Sequence, residues 1–116
     1  MLQTNLKHLE TDEETREALG NNENVVICCG RMGSMCTPVY AILIQLETQY
    51  PHVCFYDQDF DIPAARFIRH LPECASFMGL PFTVYFKNSK VVAATTSIQN
   101  GDQIRKILDR EFGQHS

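Results

Sequence analysis

One cysteine stands where a chain of this pattern can do chemistry. Cys36 ends the stretch Gly30-Arg31-Met32-Gly33-Ser34-Met35-Cys36 and heads a periodic apolar run of Val39, Ile42, Leu43, Leu46 and Tyr50. A thiol in the first turn of a helix meets unpaired backbone amides and the positive end of the helix dipole. Both favour the thiolate, the nucleophilic form. Burial favours the neutral thiol, so the position suits an inert core cysteine equally well. Thiol–disulfide exchange commonly uses two thiols, one to attack a disulfide and one to release the mixed disulfide. The chain has five cysteines, Cys28, Cys29, Cys36, Cys54 and Cys74. None stands three positions before Cys36, where Gly33 occurs, so the place of a second thiol is the question the sequence poses.

Other chemistries find less support. Met32, Met35, Cys36 and Met78 are soft donors of the kind that suits Cu(I). The paired spacings of zinc and iron–sulfur sites are absent, and methionines more often form an adaptable hydrophobic surface. No metal and no cofactor is expected. Gly30-Arg31-Met32-Gly33 is too short for a dinucleotide fingerprint, and no P-loop occurs. His8, His52, His70 and His115 are dispersed in sequence. Asp57, Asp59 and Asp61 alternate along a strand and its exit, as a solvated strand end followed by a helix cap would.

The elements that must position Cys36 follow from periodicity and caps. Leu6-Lys7-His8-Leu9 alternates weakly, as a short edge strand. Thr11 and Glu14 form a capping box, and the helix they open should end at Leu19-Gly20 with a left-handed glycine. Asn24 to Cys29 is a near-continuous apolar run, the pattern of a strand covered on both faces. A helix beginning near Ser34 should then run to Tyr50, where Pro51 stops it. Val53 to Tyr56 is the next buried strand. Asp61 is positioned to cap a helix with Ala64, Phe67, Ile68 and Leu71 on its inner face, broken by Pro72. Phe82–Phe86 and Val91–Thr96 form a hairpin across Lys87-Asn88-Ser89-Lys90. Asn100 and Gln103 open a last helix carrying Ile104, Ile107, Leu108 and Phe112. The order β-α-β-α-β-α-β-β-α predicts an α/β fold, a mixed five-stranded sheet with helices on both faces.

Composition narrows the partners. The 116 residues predict a single domain, and a net charge of −4 with scattered basic residues argues against nucleic acid and anionic membrane. The N-terminus lacks an apolar stretch behind a basic start, and no segment is long and apolar enough to span a bilayer. An odd number of irregularly spaced cysteines does not suggest a disulfide framework, so a cytoplasmic setting is expected.

With those residues in view, the chain resembles the thioredoxin family over most of its length. The most specific match is Phe77-Met78-Gly79-Leu80-Pro81-Phe82-Thr83-Val84-Tyr85-Phe86-Lys87-Asn88. It is similar to the family's segment that leads through a cis-proline into the hairpin. Val53 to Asp59 resembles its central strand and Asp102 to Phe112 its last helix. The resemblance implies a thioredoxin fold, a cis Leu80–Pro81 bond, and a protein or peptide partner held along Met32, Gly33, Ser34, Met35, Leu80 and Pro81.

The departures bear on activity. An ungapped match sets Cys36 on the family's second cysteine, Gly33 on its nucleophilic cysteine, Met32 on the preceding tryptophan and Ile27 on its buried aspartate. Asp57 falls at a common lysine, Ala41 at a helix-kinking proline and Ser97 at a glycine. About five extra residues, around Leu71 to Ser76, lengthen the loop before Pro81. In the family pattern the residue at the Ile27 position lies beneath the second cysteine. Strand alternation then turns Cys29 toward the same helix start and Cys28 toward the opposite layer. Cys29 becomes one expected partner of Cys36, and Cys74, in the extra loop, another. Each also suits simple core packing. Two functions follow. The first is a divergent thioredoxin-like redox protein that exchanges disulfides through Cys36, with Cys29 or Cys74 resolving. The second is a redox-inactive module that binds a polypeptide at the Pro81 edge.

Overall fold

The apolar run of the sequence is the central strand of a five-stranded sheet. The structure, a computed structural model, describes residues 4–75 and 79–113. Its elements are β1 (Lys7–His8), α1 (Asp12–Asn21), β2 (Asn24–Gly30), α2 (Thr37–Glu47), β3 (Cys54–Asp59), α3 (Arg66–Arg69), β4 (Phe82–Lys87), β5 (Lys90–Thr96) and α4 (Gly101–Phe112). Short 3-10 turns at Pro63–Ala65 and Pro72–Cys74 flank α3. The sheet order is β1-β3-β2-β4-β5. β2 runs parallel to β3 and antiparallel to β4, and every one of its residues is buried. A strand covered on both faces needs no polar alternation, which is why β2 reads as a continuous apolar run.

Two cores lie on the two faces of the sheet. One gathers Val26, Cys28, Phe55 and Tyr85 against Val39, Tyr40, Leu43 and Leu46 of α2 and Ile104, Leu108 and Phe112 of α4. The other gathers Val25, Ile27, Cys29, Phe82 and Val84 against Ala18, Leu19, Ala65, Ile68 and Cys74. Both predicted capping boxes form, at Thr11–Glu14 and Asn100–Gln103. The hairpin between β4 and β5 turns on Asn88 and Ser89, both with positive φ, as a two-residue loop with the twist of its strands requires.

Three expectations fail. α1 does not stop at a left-handed Gly20 but continues to Asn21, and the Asn22 amide donates to the Ala18 carbonyl at 2.9 Å in place of a glycine cap. The predicted helix over residues 61–71 is a 3-10 turn followed by a single α-turn, without a side-chain cap. Asp61 is drawn instead to Arg31. Phe67, expected on an inner face, is 42% exposed.

Gly30 ends β2 where three elements meet. A Cβ there would lie 2.8 Å from Cys36 Sγ, 2.8 Å from the Tyr40 hydroxyl oxygen and 3.2 Å from Pro81 Cβ. All three neighbours belong to buried residues, so none can give way freely. Gly30→Ala should therefore cost about 1–3 kcal/mol of stability, the range of overpacking in a filled core. Gly33→Ala, where a Cβ meets nothing within 4 Å, should stay within about 0.5 kcal/mol. Urea unfolding midpoints of the two variants check the contrast, and equal midpoints would refute it.

Candidate functional site

The helix that carries Cys36 begins as a turn. Gly33 supplies the carbonyl that accepts from the Cys36 amide at 3.2 Å and the Thr37 amide at 2.9 Å, so the helical ladder reaches back to it. Regular α2 follows from Thr37, with Pro38 in its first turn, where a missing N–H costs nothing. Cys36 is only 3% exposed. Its Sγ accepts a hydrogen bond from the Arg31 amide at 3.4 Å, and the Tyr40 hydroxyl donates to the Arg31 carbonyl at 3.2 Å. The loop after β2 is thus fastened to the helix start through both polar groups of one peptide residue.

Above this sulfur runs a groove of about 500 Å³, lined by Arg31, Gly33, Ser34, Met35, Cys36, Phe60, Gly79 and Leu80. Its wall from the other side of the sheet is the chain leading into the cis Leu80–Pro81 bond. Met35 is 46% exposed on the rim. Arg31 forms a forked pair with Asp61, at 2.8 and 2.7 Å. Its guanidinium lies 5.6 Å from the Phe60 ring centre, with Arg69 at 5.7 Å. This stack makes one end of the groove firm, because a planar cation on an aromatic face holds its place with little freedom.

The structure brings together Gly33, Ser34, Met35 and Leu80 of the residues expected to bind a partner, around the expected reactive thiol Cys36. Pro81 is buried just beneath. Met32 turns away, into a smaller cavity of about 170 Å³ with Thr4, Thr37 and Tyr40. Met78, Ser76 and His115 lie outside the described residues.

The cysteines are arranged differently from expectation. Cys29 does not approach the start of α2. It packs in the opposite core with Ile68 and Cys74, and Cys28 is the strand thiol that shares the core of Cys36. The pleat is in register with β4 and β3 such that Cys28, not Cys29, alternates onto the α2 side. Cys74, read as either a partner of Cys36 or a packing residue, is 3% exposed and packs in the Cys29 core, away from Cys36. All five cysteines are free thiols. Burial pushes the Cys28 thiol up to about 12, eased by the Thr83 hydroxyl at 3.6 Å. Burial likewise raises Cys29 well above the ordinary thiol range and raises Cys74, against the pull of Arg69.

One group was missed. Asp57 was expected in solvent at a strand end, yet it is fully buried. It faces the Cys36 core because it shares the pleat of Phe55, and it pairs in register with Cys28 on one side and His8 on the other. Its carboxylate accepts from the Thr4 hydroxyl and lies 2.6 Å from His8 Nδ1. Desolvation raises its pKa, and the Thr4 and His8 bonds oppose the shift. The available signal was register: a parallel strand pair puts positions 8, 28 and 57 side by side, which one-dimensional spacing does not show.

No protein-family model matches the chain, and no curated protein does. Solved structures do match. A thioredoxin of Plasmodium falciparum superposes with a TM-score of 0.77 at 14% identity, over 91% of this chain and 99% of that one. Thioredoxin f2 of Chlamydomonas reinhardtii gives 0.75 at 15% identity, over 95% and 99%. Mitochondrial thioredoxin 3 of Saccharomyces cerevisiae gives 0.74 at 22% identity, over 90% and 94%. With the mixed sheet and its helices, these establish that the chain has the thioredoxin fold.

The buried carboxylate sets a pH dependence. Between the ordinary aspartate pKa and the raised native one, the folded chain holds a proton that the unfolded chain has released. Stability contributed at Asp57 therefore falls as pH rises through that window. Measured by urea unfolding across the acid range, wild type should lose stability relative to Asp57→Asn as pH climbs through it. A difference that does not vary with pH would count against the raised carboxylate.

Proposed function

We propose that this chain is a thioredoxin-fold protein that docks an extended polypeptide in the groove between Met35 and Leu80 and exchanges a disulfide with it through Cys36. The observation that carries this reading is the position of the Cys36 sulfur. It lines the apolar groove and takes a hydrogen bond from the Arg31 amide, at the residue that precedes α2. The amide donor holds the sulfur at the floor of the groove, where a docked disulfide would meet it. Gly33 leaves open space where a second thiol would otherwise stand beside it. Exchange is then of the single-thiol kind at the groove itself, and the partner thiol must come from elsewhere.

The depth of Cys36 favours a second reading, in which the groove binds its polypeptide without chemistry. A thiol that is 3% exposed reacts only with a disulfide that the groove positions, or after a local opening. Binding alone would need only the Met35 rim, the Phe60 stack and the Leu80 wall.

Substitution at two sites separates the readings. Cys36→Ser should abolish mixed-disulfide formation with a disulfide-bearing peptide while leaving peptide binding in place. Mixed disulfides that persist in Cys36→Ser would sink the exchange reading. Gly33→Cys adds a side chain into open space and recreates two cysteines separated by two residues. The variant should gain reduction of an unfolded disulfide protein by about tenfold or more over wild type, because a neighbouring thiol releases the mixed disulfide rapidly. An assay of insulin disulfide reduction with a chemical dithiol as donor reads this. No gain would mean that the scaffold does not support exchange at this groove.

A further inference from the structure

We propose that Cys28 is the second thiol of this site, closing a strand-to-helix disulfide with Cys36 that releases whatever is held on Cys36. The inference rests on the exchange reading of Cys36 and names the group that completes it.

The placement comes from one pleat of β2. Residues two apart on a strand present to the same face, about 6.6–6.8 Å apart along it. Gly30 and Cys28 are such a pair, and Cys36 Sγ lies 2.8 Å from where a Gly30 Cβ would be. The sulfur of Cys36 therefore rests on the strand one pleat repeat from Cys28. Gly30 places no side chain there. Cys28 and Cys36 belong to one core, whereas Cys29, Cys74 and the partly buried Cys54 pack on the other face of the sheet. Staggered rotamers offer each sulfur alternative directions across that repeat.

The groups around Cys28 set the pace. Thr83 of β4 donates to its sulfur. Cys36 and Tyr40 from the helix side, its strand neighbour Cys29, Asp57 of β3 and Tyr85 of β4 are titratable groups that interact with it. Burial holds the Cys28 thiol at about 12, so its attack is slow at neutral pH and quickens as pH rises, since the thiolate is the attacking form.

The steps balance. With a disulfide R–S–S–R, the Cys36 thiolate attacks one sulfur, the S–S bond breaks, and R–S⁻ leaves and takes up a proton. The Cys28 thiolate then attacks the Cys36 sulfur of the mixed disulfide. The Cys28–Cys36 bond forms and the second R–S⁻ leaves and is protonated. The protein loses two electrons and two protons, and R–S–S–R becomes two R–SH.

The test uses the full chain and an excess of glutathione disulfide at mildly alkaline pH, with acid quenching, alkylation and peptide mapping by mass spectrometry. Wild type should pass through a glutathione adduct on Cys36 to a Cys28–Cys36 cross-link. Cys28→Ser should hold the adduct on Cys36 for about tenfold longer or more, as loss of a resolving thiol requires. Cys29→Ser should behave as wild type. Cys28→Ala provides the same comparison if serine disturbs the core. A wild-type adduct as long-lived as that of the Cys28 variants, or a cross-link to Cys29 or Cys74, overturns the assignment of Cys28 and leaves exchange at Cys36 standing. Absence of any adduct on Cys36, in every variant, overturns the exchange reading and this inference with it.

Discussion

The site depends on a missing methyl group. At Gly30 the end of β2, the sulfur of Cys36, the hydroxyl of Tyr40 and the ring of Pro81 converge on a volume that a single Cβ would fill. Because the space is closed from three sides, the strand, the helix start and the chain entering β4 hold one another in place. Packing at this density transmits displacement instead of absorbing it. The groove above Cys36 takes its shape from that contact. Its floor is the sulfur and its wall is Leu80, and both are anchored beside Gly30.

A second constraint is the burial of Asp57. A carboxylate taken out of water must find donors or give up its charge. Here Thr4 and His8 supply them, both from the segment that ends in the two-residue strand β1. So short an edge strand gains little from its ladder alone. The carboxylate therefore does two things: it fixes the N-terminal segment against β3, and it keeps a titratable group in the core that also holds Cys28, Cys36 and Tyr40. Ile27 faces the other core, so an apolar residue at that position leaves this polar cluster untouched.

The sequence made the elements legible and left their facing obscure. The capping boxes at Thr11 and Asn100 are local hydrogen-bond patterns, and local patterns survive tertiary context. The continuous apolar run of β2 likewise announces burial on both faces. It also hides which residue points where, since a strand without polar alternation carries no marker of its pleat. That is why Cys28 and Cys29 exchange faces relative to expectation. The helix expected after Asp61 fails for a related reason. The aspartate competes between capping its own segment and pairing with Arg31, thirty residues away, and periodicity says nothing about the second choice. The burial of Asp57 depends on register between three strands, which no spacing within one segment records.

Moving a second thiol from a helix turn to a strand changes what exchange can accomplish. Two thiols on one turn share the same helix start and the same access to solvent, so attack and release proceed under similar conditions. A strand thiol behind Cys36 has no solvent access and lies among groups that disfavour its charge. Under that proposal release would wait on deprotonation in the core, and a mixed disulfide at Cys36 would persist in the meantime. The open space at Gly33 and the apolar rim at Met35 suit such a persistent adduct, since nothing beside the sulfur competes with the docked chain. Under the proposed exchange, the groove would hold a partner longer than it would turn it over. The slow step of that proposed sequence would lie in the protein's own core, not in the departure of the polypeptide.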